Sequence, residues 1–276
     1  GCTHEERELI WLKNRFFSKN AWSCRKPEIA LLMGMLLGLC SFWNGAAVIA
    51  GLLILMGFAI FSDGKLDYLI LALVTVTFSE IQSKMFVQGS VVSPSIYLGF
   101  LADEKSVLGV ASYLFEISGI VFLGIFVILF LMKRMERAVA VSFLFPAMFA
   151  FIISLTPDIN VNHKYIMISY AFLTIFWAGA FCRIFRKKQI GKVLAVILAI
   201  SLTITGIYDF VVILKDNDSS HRVAVKLHSN LTAWLKENLG KDDLLLTPEY
   251  SMNEVTMAGV MLYMGWPYYA WSAGYD

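Results

Sequence analysis

Apolar residues along this chain fall into long runs divided by short charged connections. The runs cover about 29–61, 66–80, 106–131, 138–154, 163–182 and 190–214. A helix rises 1.5 Å per residue, so about 20 apolar residues cross a hydrocarbon core of about 30 Å. The run 29–61 would reach roughly 50 Å as one helix and must therefore bend. Asn44-Gly45 is its turn dipeptide, which predicts two short helices, 29–43 and 46–61, joined as a hairpin. About seven membrane or hairpin helices result: 29–43, 46–61, 66–80, 106–131, 138–154, 163–182 and 190–214. Before them, in the polar and basic segment 1–28, Leu9, Leu12 and Phe16 recur at helical spacing and predict an amphipathic helix on a membrane surface. The stretch 81–105 stays apolar at Ile96, Tyr97, Leu98 and Phe100. Gly89, Pro94 and Gly99 interrupt any helix there, so an interfacial or re-entrant loop is expected.

From residue 215 the pattern becomes that of a water-exposed segment. His221 to Asn238 places Val225, Leu227, Leu231, Trp234 and Leu235 largely on one helical face, with Gly240 as the stop. Asp243 to Thr247 reads as a short buried strand. The predicted fold class is an all-α polytopic membrane bundle followed by a small exoplasmic α/β domain at 215–276. The chain opens at Gly1 without an initiator Met and closes amid aromatic residues, so it reads as a piece of a longer protein with that last domain incomplete.

Composition sharpens the membrane reading. The chain is 58% hydrophobic and 16% charged, with a mean hydropathy of +0.67, more apolar surface than one water-soluble core can bury. The net charge of +2 gives nucleic-acid binding no support. Its distribution is more informative. With connections alternating between two sides, one side receives Lys13, Arg15, Lys19, Arg25, Lys26, Lys65, Lys133, Arg134, Arg137, Arg183 and the run 186–192. The loops of the other side receive Lys84, Lys105 and Lys164. The positive-inside rule makes the first side cytoplasmic and sends the C-terminal segment to the outer face of a plasma membrane, expected to be bacterial. Cys2, Cys24, Cys40 and Cys182 form no C-x-x-C pair, so neither structural zinc nor a disulfide framework is expected.

Candidate chemistry sits in three places. Glu116 lies within the run 106–131, where a carboxylate is costly unless it is paired or faces a wet cavity. The loop from Pro157 to Tyr165 gathers Asp158, Asn162, His163 and Lys164 at the outer mouth of two helices. There Lys164 and His163 are suited to bind a phosphate near a helix N-terminus, where the dipole favours anions. The competing reading is a solvated turn with Lys164 reaching the lipid headgroups. Lys84, with Glu80 and Gln82, ends the third helix on the same side. No P-loop, Rossmann glycine pattern, H-E-x-x-H, EF-hand or G-x-S-x-G motif occurs.

Several stretches together resemble the later half of bacterial GT-C-type membrane glycosyltransferases, relatives of protein mannosyltransferases and aminoarabinose transferases. They are Phe42-Trp43-Asn44-Gly45, Asn162-His163-Lys164-Tyr165, Trp234 to Asn238, Asp243 to Thr247 and Gly265 to Asp276. The resemblance implies transfer of a sugar from a polyprenyl-phosphate carrier to an acceptor on the outer membrane face. It places the catalytic carboxylate in a first outer loop, which no segment before residue 29 supplies, so the fragment alone is expected to be inactive. This chain would contribute the carrier side of the cavity, where Lys164 or Lys84 stabilises the leaving phosphate. Some members of that superfamily need a divalent metal, although no ligand set for one is evident in the sequence. A lipid or polysaccharide transporter or flippase, motivated by Glu116 and the broken stretch 81–105, and a non-enzymatic membrane scaffold are the alternatives.

Overall fold

The computed structural model describes residues 4–86, 94–216, 225–250 and 253–272. Within them the chain is mostly helical with little sheet. Contacts divide it into two units, Gly1–Gly89 with Pro94–Leu202, and Ser90–Ser93 with Thr203–Asp276. The first unit runs through α1 (His4–Phe17), α2 (Pro27–Leu39), α3 (Ser41–Phe61), α4 (Lys65–Phe86), β1 (Ser95–Ile96), α5 (Val107–Ser118), α6 (Ile120–Leu131), α7 (Arg134–Ala150), β2 (Ile153–Ser154) and α8 (His163–Phe185). The last long helix, α9 (Gln189–Asp216), begins in this unit and ends in the second.

Among the described residues four helical segments are long and apolar enough to cross a membrane: α3, α4, α8 with the turn before it, and α9. A fifth exists only if α5 and α6 count as one span, and they are bent by 105°. The expected count of about seven membrane or hairpin helices is not confirmed. At 13 residues α2 reaches only about 20 Å, and α7 opens on the charged turn Arg134, Glu136 and Arg137. Lipid is the solvent that fits the surface. Along α9, Ile190, Val193, Leu194, Ile197, Ile200, Ile204 and Ile207 are each more than half exposed, and a helix apolar all round is stable in hydrocarbon rather than in water. The chain is built as an integral membrane protein.

The hairpin bends where the sequence places it. Asn44 leaves helical geometry (φ −156°, ψ 92°) one turn into α3, and its Oδ1 accepts the Ala47 N–H at 3.1 Å, capping the helix that follows. Beyond the bend, α2 and α4 pack side by side because Gly34 and Gly38 leave their shared face bare. A Cβ on Gly34 would lie 2.8 Å from the Leu71 carbonyl, and one on Gly38 would lie 2.6 Å from the Phe78 Cβ. This small-xxx-small spacing brings two backbones together without a hydrophobic driving force. The Thr75 hydroxyl, in van der Waals reach of the same face, donates to the carbonyls of Leu71 (2.9 Å) and Gly34 (3.2 Å). Similarly Gly57 of α3 rests on Ser142 of α7, and Trp177 of α8 covers Gly124 of α6 while its indole N–H donates to the Val121 carbonyl at 3.1 Å. Pro146 removes one backbone donor inside α7. The next donor, Ala147 N–H, turns to the buried Ser169 hydroxyl of α8 at 2.9 Å.

One end of this unit collects the ion pairs. Arg15 and Arg25 both meet Asp63 in the α3–α4 turn. Arg134 binds Glu8 of α1 at 3.0 Å, and Arg183 of α8 binds Glu136 of α7 at 2.9 Å. Trp11 of α1 stacks on Phe61 and is faced by the guanidinium groups of Arg15 and Arg134, 5.2 and 5.3 Å from its ring. The Lys65 ammonium donates to the last free carbonyls of α3, those of Ala59, Ile60 and Ser62, and so closes that helix. The N-terminal amphipathic helix is therefore fastened to the bundle through ions and one aromatic side chain, while Leu9, Ile10 and Phe17 remain exposed.

At the other end, the expected stretch 81–105 divides. Residues 81–86 continue α4, 87–93 lie outside the described residues, and Ser95–Ile96 pairs antiparallel with Ile153–Ser154. Phe100 is buried against Tyr113 and Phe151, with a left-handed backbone (φ 49°) directly after Gly99 (φ 84°). The Lys105 ammonium holds this turn by donating to the Phe100 carbonyl.

The second unit carries α10 (Asn230–Asn238), β3 (Leu244–Leu245), β4 (Met261–Leu262) and α11 (Pro267–Ser272). The helix-then-strand order of the sequence is present, but α10 starts at its Ser229 cap rather than at His221, which lies outside the described residues. The strand from Asp243 to Thr247 is reduced to two residues paired in parallel with Met261–Leu262. Leu244 and Leu246 are exposed rather than buried, because a two-strand ladder of that length encloses no core.

Candidate functional site

The residues from 154 to 164 build one compact turn at the end of the bundle opposite the ion pairs. Asn162 is buried and its amide donates to the carbonyls of Ala150 (3.0 Å) and Ile153 (2.7 Å), tying the chain leaving α7 to the start of α8. Asp158 is likewise buried, and its Oδ1 accepts from the Asn160 N–H (3.0 Å) and the Asn160 side-chain amide (2.8 Å). The Thr156 hydroxyl donates to the Asp158 carbonyl, and the Ser154 hydroxyl to the Thr156 carbonyl. Thus Asp158 and Asn162 hold the turn in shape.

α8 itself opens at His163, where the sequence places it, but a single 3-10 turn, Ile159–Asn162, capped by Asp158, runs into it without a gap. The positive end of the helix is met by the protein's own carboxylate. His163 and Lys164 lie one turn inside. His163 donates from Nδ1 to the Asn160 carbonyl at 2.6 Å, leaving Nε2 for another partner, and Lys164 is exposed. Among the described residues the Lys164 ammonium has no hydrogen bond or ion pair.

The remaining candidates stand apart from the turn. Lys84 is exposed on the last turn of α4. Nearby Gln82 accepts from the Ser41 hydroxyl at 2.9 Å, joining the start of α3 to the end of α4. Glu116 is not inside a continuous span, because Gly119 (φ 56°, ψ −127°) ends α5 and the chain turns by 105° into α6. The carboxylate is exposed, accepts from the Ser112 hydroxyl at 3.4 Å, and shares a groove of about 410 Å³ with Asp103, Glu104 and Tyr113. Among the described residues neither Lys84 nor Glu116 has a hydrogen bond or ion pair to residues 157–164.

No group of three or more His, Cys, Asp or Glu side chains is placed to hold a metal ion among the described residues. The described cysteines Cys24, Cys40 and Cys182 are free and exposed. The Cys24 thiol is held above its ordinary range by its hydrogen bond to the Asp67 carboxylate. At the ion-paired end, the Arg15 guanidinium holds the Asp63 carboxyl below the usual carboxylate range. Trp11, Glu8 and Asp63 are the polar and aromatic fastenings that sequence reading missed. Only the helical spacing of 1–28 hinted at them, since their partners lie far along the chain.

Comparison with known proteins adds no relative: no family model, no curated protein and no solved structure matches the chain.

Proposed function

We propose that this chain forms the lipid-carrier side of a membrane glycosyltransferase that moves a sugar from a polyprenyl phosphate to an acceptor at the outer face. The observation that carries the reading is the turn 154–164. Its acid and amide are engaged internally and rigidify it, while the Lys164 ammonium and His163 Nε2 are left available on a fixed scaffold. Such a pair suits a leaving phosphate, which gains negative charge as the sugar departs and is stabilised by a preorganised cation. Lys164 and the ion-paired basic end lie at opposite ends of a bundle whose α8 alone, at 23 residues, spans about 34 Å. With the basic end facing the cytoplasm, this turn falls on the outer side.

The resemblance of Asn162-His163-Lys164-Tyr165 and the Asn44 hairpin to that class supports the same reading. The transporter alternative rests on Glu116 inside a helix and on the broken stretch 81–105; the run that carries Glu116 is itself bent by 105° at Gly119, and the carboxylate is exposed. The test is sugar transfer by the intact protein in vesicles loaded with a polyprenyl-phosphate-linked sugar. Lys164→Gln and His163→Ala should each lower the rate, Lys164→Gln by roughly a hundredfold. Unchanged rates would remove these residues from the reaction. Absence of transfer by the intact wild type with every such donor would overturn the function itself.

A further inference from the structure

The geometry points to a binding site for an anionic phospholipid at the basic end of α6 and α8, independent of the proposed activity. A groove of about 440 Å³ opens there, the size of a ligand pocket rather than a packing defect. Ile128 of α6, Met132 just beyond it, and Phe176 and Ala180 of α8 line it with hydrocarbon. Gly179 widens it, since a Cβ at that position would meet nothing within 4 Å.

The rim of the groove is charged by Glu136, Arg183 and Lys187. Arg183 is neutralised by Glu136 at 2.9 Å, whereas the exposed Lys187 ammonium has no hydrogen bond or ion pair among the described residues. Lys187 also lines a second cavity of about 650 Å³, with Arg186, Lys188 and Gly191, so the two grooves share Ile184 and Lys187. The turn that carries it is tight. Gly191 N–H donates to the Lys188 carbonyl at 2.7 Å, and a Cβ on Gly191 would lie 2.7 Å from the Lys187 Cβ. From 183 to 192 the chain holds five cations and no acid.

Charge complementarity therefore selects the occupant. An apolar slot that ends at an unneutralised cation suits a lipid whose acyl chain fills the slot and whose phosphate meets Lys187. The groove between α3 and α4, of about 520 Å³, provides the contrast. Its cation, Lys65, is buried and already gives its three donors to carbonyls at the α3 end, so a headgroup finds no free ammonium N–H there.

The experiment measures lipid retained by the purified chain after exchange into an equal mixture of phosphatidylglycerol and phosphatidylcholine, read by mass spectrometry. Phosphatidylglycerol should be enriched. Lys187→Gln should lower the enrichment about fivefold, the effect of one cation at a membrane surface, and Lys187→Arg should preserve it. Gly179→Leu, which fills the slot without a backbone clash, should lower it as well. Added inorganic phosphate should leave it unchanged. Equal retention of both lipids by the wild type, wild-type enrichment in both Lys187→Gln and Gly179→Leu, or displacement by free phosphate would overturn the proposal. So would preferential retention of a polyprenyl phosphate added to the mixture.

Discussion

At the scale of single residues, the polar groups of the turn at 154–164 divide into those that hold structure and those left available. Asn162 belongs to the first kind. Replacing it with Ala leaves the Ala150 and Ile153 carbonyls without their donor, and should cost about 1–3 kcal/mol, read as a lowered midpoint of thermal unfolding in detergent. Wild-type stability of Asn162→Ala would show that those carbonyls find other donors. Asp63 gives a pH signature. Its carboxyl titrates below its unfolded value, so its contribution is complete above about pH 4 and is lost as the pH falls through the lower folded value. The stability difference between wild type and Asp63→Asn, present at neutral pH, should accordingly close in acid. A difference that persists below that range would mean the Arg15 contact is not the cause. The sequence placed Asp158, Asn162, His163 and Lys164 together because they are neighbours in the chain. It could not show which were engaged, since the carbonyls that engage Asn162 belong to the end of α7 and the residues beyond it, and no spacing rule reports them.

At the scale of elements, two breaks decide the fold, and they differ in how visible they are. Asn44-Gly45 announces the first through its turn chemistry, and Asn44 caps the helix that follows. The second, at Gly119, lies in a largely apolar run that also carries Gly109 and Gly124, so its Ser118-Gly119 turn dipeptide is hard to tell from the glycines tolerated inside membrane helices. That is why 106–131 reads as one helix and folds as two. Contact between α2 and α4 is the most demanding packing, since their backbones meet across Gly34 and Gly38. Gly38→Leu should destabilise the protein by about 1–3 kcal/mol, whereas Gly206→Ala, in open space on α9, should be neutral or stabilise by up to about 1 kcal/mol. Equal effects of the two in a thermal melt would show that α2 is not held by its small face. The small-xxx-small spacing was readable in the sequence, but its partner was not, because glycines name the helix that allows approach and not the one that approaches.

At the scale of the whole molecule, apolar runs and charge asymmetry reveal a membrane protein without reference to any particular helix boundary. The number of full-length spans was not legible in the hydropathy, because an apolar run reports burial in hydrocarbon and not whether the segment crosses, dips or lies flat. The central claim is that hydrocarbon surrounds this bundle and that its ion-paired end and its polar turn face opposite sides. The most direct measurement replaces the native cysteines with serine, introduces Lys164→Cys or Lys187→Cys, and applies a membrane-impermeant maleimide to intact cells and then to permeabilised ones. The account predicts labelling of Lys164→Cys in intact cells and of Lys187→Cys only after permeabilisation. Labelling of both positions from the same side, or in the reverse order, would contradict it.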